Sequence, residues 1–374
     1  AAGDSLWPHL SMAGHTETAV GRCDDSSCYY QSSTGALGRL ERAMAVLVGL
    51  LNSPNQKAQR YRRQLAAQSD TNAFRLINGH ADGQRGLIVD QLGPYLLAQS
   101  EAPLTQAQTR LLEAYRHSHK LLGLYHKVLR RQIRSSDPGL TSPRFLSGEP
   151  APSRFTIKEN GVEYELSFDE GYSYGLFLDQ RLNREQLLNT KQGSHRTTPS
   201  LLNVFAYTCA FSVCAAKAGY QTTSLDLSKK YLLWGKENFA RNNLELIDNH
   251  HDFIYGDAFQ WMRRLRNKGR QFGMIILDPP TFSKSKESGD FRVQRDFPIL
   301  LTRAMDLLPE SGGTILCSSN NAGWSSSAFL RDLEKTVSQN GKCLTDLAFR
   351  AAPPDFPPPS DEESYLKTAW LKIP

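Results

Sequence analysis

The chain carries a short motif that could hold a flat substrate, Asp278-Pro279-Pro280-Thr281-Phe282. It follows the apolar run 274–277, which predicts a buried β-strand. The two prolines fix the backbone and remove two N–H donors, so the Asp278 carboxylate and nearby carbonyl groups remain as acceptors. The Phe282 ring could stack on a nucleobase. The motif therefore predicts binding of a planar base, although an ordinary strand exit with a helix-capping aspartate has the same sequence.

Three more predicted strands end in residues that suit a nucleoside. The run 201–205 leads into Ala206-Tyr207-Thr208-Cys209-Ala210, and Asp226 and Asp257 close the next two strands. A carboxylate after the second strand of a doubly wound sheet commonly accepts hydrogen bonds from ribose hydroxyls. Asp257 could accept one from an adenine amine. Together these strand ends predict a cofactor site, although each acidic strand end is common by itself.

The order of these motifs identifies a family and a fold class. From about Tyr174 to the end, the chain resembles the S-adenosylmethionine-dependent methyltransferases of large-subunit ribosomal RNA, which include cytosine-C5 and guanine-N7 enzymes. The resemblance rests on Gly175-Leu176-Phe177-Leu178-Asp179-Gln180-Arg181, Asn203-Val204-Phe205-Ala206-Tyr207-Thr208, Leu225-Asp226-Leu227-Ser228, Gly256-Asp257-Ala258 and Asp278-Pro279-Pro280-Thr281-Phe282-Ser283. It implies an α/β fold, a doubly wound Rossmann-like class I methyltransferase sheet. It also implies S-adenosylmethionine as the cofactor and large-subunit ribosomal RNA as the partner.

The resemblance further implies a role for individual residues. The cofactor-binding set is Arg181, Asn203, Phe205, Tyr207, Thr208, Cys209, Ala210, Asp226, Leu227, Ser228, Asn242, Asp257, Ala258 and Asp278. Asp226 would hold the ribose and Asp257 the adenine amine. Arg181 could pair with the methionine carboxylate of the cofactor, with an ion pair to Asp179 or a surface ion pair as the alternative. The catalytic set that would position the acceptor base is Asp278, Pro279, Pro280 and Phe282.

The cofactor loop departs from the family pattern at two positions. Cys209 and Ala210 stand where the family usually carries glycines. Both are small enough for close approach but disfavour positive φ, which predicts a reshaped loop or reduced cofactor affinity. Cys209 is interpreted as a small buried filler rather than a reactive thiol. The departure leaves open a catalytically silent RNA-binding or ribosome-assembly factor.

The acceptor atom depends on whether a cysteine nucleophile exists. Carbon 5 of cytosine becomes nucleophilic only after a thiolate adds to carbon 6, whereas guanine N7 carries its own lone pair. Counting from Gly312-Gly313 places Asn320 where the cytosine enzymes carry their cysteine. Ser319-Asn320-Asn321 resembles the guanine-N7 branch, and that acceptor is favoured. A cytosine-C5 enzyme that uses Cys317 is the alternative.

The charge of the chain agrees with an RNA partner. The net charge is +6 over 374 residues, a mild bias toward polyanions. Lys284 and Lys286 follow the Asp-Pro-Pro turn, where substrate phosphates would approach. Asn320 and Asn321 could read the edge of the base. The basic run 263–270 is interpreted as a solvated surface.

Composition also limits the other classes of partner. The six cysteines lack paired metal spacing, so neither a metal site nor a disulfide framework is predicted. No apolar run is long enough to span a bilayer. We therefore expect a cytoplasmic protein without membrane contact, or an organellar one if residues 1–58 are a transit segment. The oligomeric state cannot be read from the sequence.

Local patterns divide the chain into four parts. Residues 1–58 form an unassigned N-terminal extension, and 59–134 predict a small α/β accessory domain. The range 135–153 is rich in proline and glycine and predicts a linker. The methyltransferase domain spans 154–374 and opens with a β-hairpin around Asn160-Gly161, because both residues tolerate positive φ.

Overall fold

The computed structural model describes residues 55–129, 142–171, 173–190, 199–246, 250–285, 289–360 and 362–374. Two sheets dominate this part of the chain. A smaller N-terminal sheet is followed by a hairpin and then by a large, mostly parallel sheet with helices on both faces.

The N-terminal sheet has five strands in sequential order. Its elements are α1 Gln56–Ala67, β1 Ala73–Asn78, β2 Leu87–Leu92, β3 Tyr95–Ser100, α2 Gln106–Ser118, β4 Gly123–Val128 and β5 Arg144–Gly148. Strands β3 and β4 are parallel, joined through α2, and the other neighbours are antiparallel. Strand β5 falls within the range 135–153 for which composition predicts a linker. It is an exposed edge strand, so its sequence lacks the apolar alternation that reveals a buried strand.

The predicted hairpin connects the two sheets. It consists of β6 Phe155–Glu159 and β7 Val162–Leu166. The turn residues Asn160 and Gly161 have φ of 51° and 73°, the positive values that a tight hairpin turn needs.

The large sheet is the doubly wound sheet that the sequence predicts. Its elements are α3 Arg181–Leu188, β8 Ser200–Val204, α4 Ala210–Lys217, β9 Gln221–Asp226, α5 Lys229–Arg241, β10 His251–Tyr255, α6 Ala258–Asn267, β11 Met274–Leu277, β12 Phe282–Ser285, β13 Gly289–Arg292, α7 Val293–Met305, β14 Gly313–Ser319, α8 Ser326–Gln339, β15 Asp346–Ala351 and β16 Lys367–Ile373. The strand order is β10-β9-β8-β11-β14-β16-β15, with only β16 antiparallel to its neighbours. Strands β12 and β13 form a separate hairpin. The order reverses between β8 and β11, and such switch points bind ligands.

Both faces of the large sheet are buried. Leu201 and Ile276 belong to one apolar cluster, whereas Leu202, Ile275 and Cys317 belong to a second cluster on the opposite face. This alternation follows from the two-residue period of a strand, and burial on both faces explains the continuous apolar runs in the sequence. The helices of the described residues include none that is long and apolar enough to cross a membrane.

Candidate functional site

A cleft of about 740 Å³ opens where β8, β9, β10 and β11 end. It brings together most of the sequence-predicted site residues: Phe205, Tyr207, Thr208, Ala210, Asp226, Leu227, Ser228, Asp257, Ala258, Asp278, Pro279, Pro280 and Asn320. The carboxyl ends of parallel strands share one edge, so the motifs meet there although they are distant in sequence.

The loop after β8 has an unusual backbone. Phe205, Tyr207 and Cys209 have φ of 62°, 49° and 61°, values that side chains other than glycine adopt at a cost of about 1–3 kcal/mol each. Cys209 therefore adopts the positive φ that its side chain disfavours. The loop keeps a backbone of the kind that glycine favours, without glycine.

Packing against α5 holds Cys209 in this conformation. Its side chain is fully buried, and burial raises the pKa of its thiol to about 12. A Cβ atom on Gly235 would lie 2.4 Å from the Cys209 sulfur, which is too close for any real contact. Glycine at position 235 thus leaves the space that the Cys209 side chain fills, and the interpretation of Cys209 as a buried filler is consistent with this contact.

Asp226 ties the cofactor loop to the next strand. Its carboxylate accepts hydrogen bonds from the backbone N–H groups of Tyr207 and Ser228, both at 2.8 Å. Burial raises the pKa of Asp226, and the backbone N–H groups oppose that rise. The carboxylate lines the cleft between the ends of β8 and β9.

The end of β10 contributes a helix cap and an apolar surface. Asp257 precedes α6 and accepts a hydrogen bond from the Gln260 N–H at 3.0 Å. Ala258 and Phe259 continue this wall of the cleft. A carboxylate beside an apolar surface suits an aromatic ring that carries an amine.

Asp278 is the partly buried carboxylate of the opposite wall. Gln180 Nε2 donates to its Oδ1 at 3.1 Å. Burial raises the pKa of Asp278 to about 6, and the neighbouring Asp179 adds to the rise while Ser318 and Gln180 oppose it. Asp179 also lines the cleft and accepts a hydrogen bond from the Tyr365 hydroxyl at 2.8 Å.

Asp179 and Gln180 are site residues that sequence reasoning missed. The motif 175–181 is part of the resemblance, but the sequence prediction gives the cofactor contact to Arg181. Residues 178–180 form a 3-10 turn that places Asp179 and Gln180 in the wall of the cleft. Phe177, in the same motif, also lines the cleft, as do Phe211, Tyr231 and Arg303, which lie in no motif that would identify them.

Arg181 lies outside the cleft, and its predicted pairing with the cofactor is wrong in this structure. The side chain is 1% exposed, pairs with Asp355 at 3.0 Å and donates to the Ala73 carbonyl at 2.9 Å. It also lies 3.4 Å from Glu159. Because Ala73 begins the N-terminal sheet, Arg181 links that sheet to helix α3 by a hydrogen bond. It does not line the cleft.

Asn203, Asn242 and Cys209 are predicted cofactor-binding residues that lie outside the cleft. Asn203 is buried and donates to the Ser212 hydroxyl at 3.0 Å. Asn242 pairs with the backbone of Glu163, accepting from its N–H at 3.0 Å and donating to its carbonyl at 2.7 Å. None of the three lines the cleft, so they support its walls from behind.

A second, shallower cavity of about 510 Å³ adjoins the cleft. Phe282 and Asn321 line it, together with Arg292 and Gln294, and Thr281 and Arg295 border both cavities. Phe282 is predicted to help position the acceptor base, but it lines this second cavity and not the main cleft. The backbone of Lys284 lies in β12, and Lys286 falls outside the described residues.

Cys317 does not line the cleft. It lies in β14 beside Leu277 and Ala369, with its side chain fully buried in an apolar cluster. Burial raises the pKa of the thiol well above its usual range. No cysteine lines the cleft among the residues described above, and those residues include no group of histidine, cysteine and acidic side chains suited to a metal ion.

Comparison with protein families gives a match over residues 92–371 to a model described as S-adenosylmethionine-dependent methyltransferase. A solved structure, SMU.776 complexed with SAH, superimposes with a TM-score of 0.73 at 30% identity and covers 87% of this chain and 82% of that one.

Two curated relatives bear names that refer to ribosomal RNA. "Ribosomal RNA large subunit methyltransferase K/L" from Psychrobacter cryohalolentis is 30% identical over 318 residues, 83% of this chain. This chain spans only 38% of that relative's length. "Ribosomal RNA large subunit methyltransferase" from Deinococcus radiodurans is 28% identical over 313 residues, 83% of this chain and 74% of the relative.

Proposed function

The chain belongs to the S-adenosylmethionine-dependent methyltransferase family, and on that premise we propose that it methylates large-subunit ribosomal RNA at N7 of a guanine. The methyl donor, S-adenosylmethionine, supplies an electrophilic methyl group bound to a positively charged sulfur. The observation that carries the choice of acceptor is a cleft that holds the Asp278 turn and, among the described residues, no cysteine.

The lining of the cleft fits the cofactor. Asp226 and Asp257 offer carboxylate oxygens to hydroxyl and amine donors, and Phe259 offers an apolar ring face. Asp179 brings negative charge to the other wall, which suits a ligand with a cationic sulfur and an ammonium group. In our proposal Asp226 holds the ribose and Asp257 the adenine amine. Tyr207, Thr208 and Ala210 would surround the methionine part, and Arg181 would not.

Guanine N7 is an acceptor that this lining can serve without covalent catalysis. Its lone pair needs orientation rather than activation, so positioning by a rigid turn suffices. Cytosine C5 would need a thiolate, but Cys317 is fully buried in an apolar cluster with a raised pKa. Asp278 and Gln180 would bind the base edge, while Pro279 and Pro280 would limit its position.

The second cavity supports an RNA substrate. Phe282 is 48% exposed there, beside Arg292 and Arg295. Proteins that read single-stranded RNA combine aromatic stacking with basic side chains. We assign this cavity to the nucleotide next to the target, with Asn321 at its rim. Lys284 and Lys286 would contact phosphates nearby, and Asn320 would contact the target base.

We also propose a division into an accessory domain, 59–134, and a methyltransferase domain, 154–374. The N-terminal sheet would belong to a small accessory domain, and a cytoplasmic location would follow from a ribosomal substrate.

The proposal is tested by identifying the methylated nucleoside. The full chain is incubated with methyl-labelled S-adenosylmethionine and unmodified large-subunit ribosomal RNA, and the RNA is digested and examined by mass spectrometry. We expect labelled 7-methylguanosine. The matched variant Cys317→Ala, which removes the thiol without burying a hydroxyl, should give the same product at a similar rate. Labelled 5-methylcytidine that disappears in Cys317→Ala would overturn the proposal.

A further inference from the structure

A chain of buried hydrogen bonds connects the core of the sheet to Asp278. Trp370 Nε1 donates to Asn183 Oδ1 at 2.9 Å, and Asn183 Nδ2 donates to Gln180 Oε1 at 2.8 Å. Gln180 Nε2 then donates to Asp278 Oδ1 at 3.1 Å and to the Ser318 hydroxyl at 2.8 Å. Asn183 is 1% exposed and lies behind the cleft wall.

The direction of each hydrogen bond in this series is set by Trp370, the residue farthest from Asp278. An indole N–H can only donate, so Asn183 must turn its oxygen toward Trp370. The Asn183 amide nitrogen then faces Gln180 and donates to the Gln180 side-chain oxygen. That orientation leaves the Gln180 N–H group pointing at Asp278. A reversed Gln180 amide would place an oxygen against the carboxylate and would require a proton between them.

We propose that Asn183 and Trp370 are positioning residues that fix the Gln180 amide and so keep Asp278 an acceptor for the N–H groups of the target base. The inference rests on the proposed function, because a guanine acceptor has N–H donors on the edge that Asp278 would contact. Guanine has such donors at N1 and N2, and a flipped base is read on this edge. Asn183 and Trp370 act through Gln180 and touch no substrate.

Three other groups near Asp278 also shift the pKa of its carboxyl group. Asp179, at the same cleft wall, favours the protonated form of Asp278, and Arg184 on α3 favours the ionised form. The Ser318 hydroxyl on β14 also favours the ionised form. None of these is altered by a neutral substitution at Trp370 or Asn183, so the contribution of the hydrogen-bond chain can be isolated.

The test is a carbon-13 NMR titration of the Asp278 carboxyl group in the full chain, assigned by its loss in Asp278→Asn. Trp370→Phe removes the donor that sets the direction, and Asn183→Ala removes the next link, both without adding charge. We expect each to raise the titration midpoint, by up to about one pH unit. The control Trp324→Phe removes another buried indole, which donates to Asp332 at 2.9 Å, and should leave the midpoint unchanged.

Two outcomes overturn the inference. One is an unchanged midpoint in a folded Trp370→Phe or Asn183→Ala variant, and the other is an equal shift in Trp324→Phe. If one variant fails to fold, the other decides. The titration needs no RNA, so its result is distinct from a failure of the proposed function, in which the wild-type chain would methylate no guanine at any pH.

The same variants carry a kinetic prediction. The rate of methyl transfer to RNA should fall at low pH, and the pH at which it falls should rise together with the titration midpoint of Asp278. The affinity for S-adenosylmethionine should not change. A merely structural role would lower the rate equally at every pH.

Discussion

The two walls of the cleft hold their carboxylates in different ways. Asp226, on the cofactor wall, accepts hydrogen bonds from the backbone N–H groups of Tyr207 and Ser228. Asp278, on the acceptor wall, accepts a hydrogen bond from the side chain of Gln180. Backbone donors are present whatever the side chains are, whereas a side-chain donor can be lost by one substitution.

This difference suggests that a methyltransferase fold can retain its cofactor site while the site for the acceptor base changes. The cofactor wall is specified by backbone conformation, which tolerates Cys209 in place of glycine because Gly235 leaves room for it. The acceptor wall is specified by a network of side chains whose donors and acceptors can be rearranged. We therefore expect substitutions on the two walls to affect binding and transfer separately.

The largest effect is expected at Asp278. Asp278→Asn should lower the single-turnover rate of methyl transfer roughly 10²–10³-fold, because a preorganised polar contact to the acceptor is lost. The affinity for S-adenosylmethionine, measured by calorimetry, should stay within about twofold. A parallel loss of affinity and rate would show that the two walls do not act separately.

The same carboxyl group should make stability depend on pH. Burial raises the pKa of Asp278 from its usual 3.8 to about 6, so the folded state holds this proton more tightly than the unfolded chain. The free energy of unfolding should therefore fall as pH rises from 3.8 through about 6, by up to about 3 kcal/mol.

Thermal unfolding of the wild type and of Asp278→Asn across this range measures the effect. The melting-temperature difference between the two proteins should change with pH in favour of the variant at neutral pH. A difference that is constant from pH 4 to pH 7 would contradict the assignment.

On the cofactor wall, Asp226→Ala should weaken S-adenosylmethionine binding roughly 10–100-fold. The variant loses the proposed ribose acceptor and the contact that fixes the Tyr207 N–H, and hydrogen bonds to charged groups contribute about 1.5–3 kcal/mol. Calorimetry is the measurement. Asp252→Ala is a matched control because Asp252 lies on the neighbouring β10 and pairs with the exposed Arg270. Equal affinities of the two variants would contradict the assigned role of Asp226.

The smallest effect concerns the packing beneath the cofactor loop. Gly235→Ala should lower the free energy of unfolding by about 1–3 kcal/mol, because its Cβ would meet the Cys209 sulfur. Adding Cys209→Gly should recover part of that loss, since the obstructing sulfur is then gone. Gly273→Ala is a suitable control, as its Cβ would have only the Ser200 carbonyl oxygen within 4 Å, at 3.9 Å. Strictly additive effects in a double-mutant cycle would contradict the contact.

The sequence predicts the cofactor wall better than the acceptor wall, for a physical reason. Asp226 and Asp257 end successive strands of the predicted doubly wound pattern, and parallel-sheet geometry then brings their ends together. Arg181, by contrast, is one residue beyond Gln180 in a short turn, and spacing alone does not tell which side chain faces the cleft. Phe282 begins the β12–β13 hairpin and lines the second cavity, and the sequence pattern does not predict this hairpin.

The most direct test of the central claim is a search for a covalent intermediate. The chain is incubated with S-adenosylmethionine and large-subunit ribosomal RNA in which 5-fluorocytidine replaces cytidine, a substitution that traps a thiolate added to carbon 6. The account predicts no protein–RNA complex that survives denaturing electrophoresis and continued methylation of guanine. A stable adduct that Cys317→Ala abolishes would contradict it.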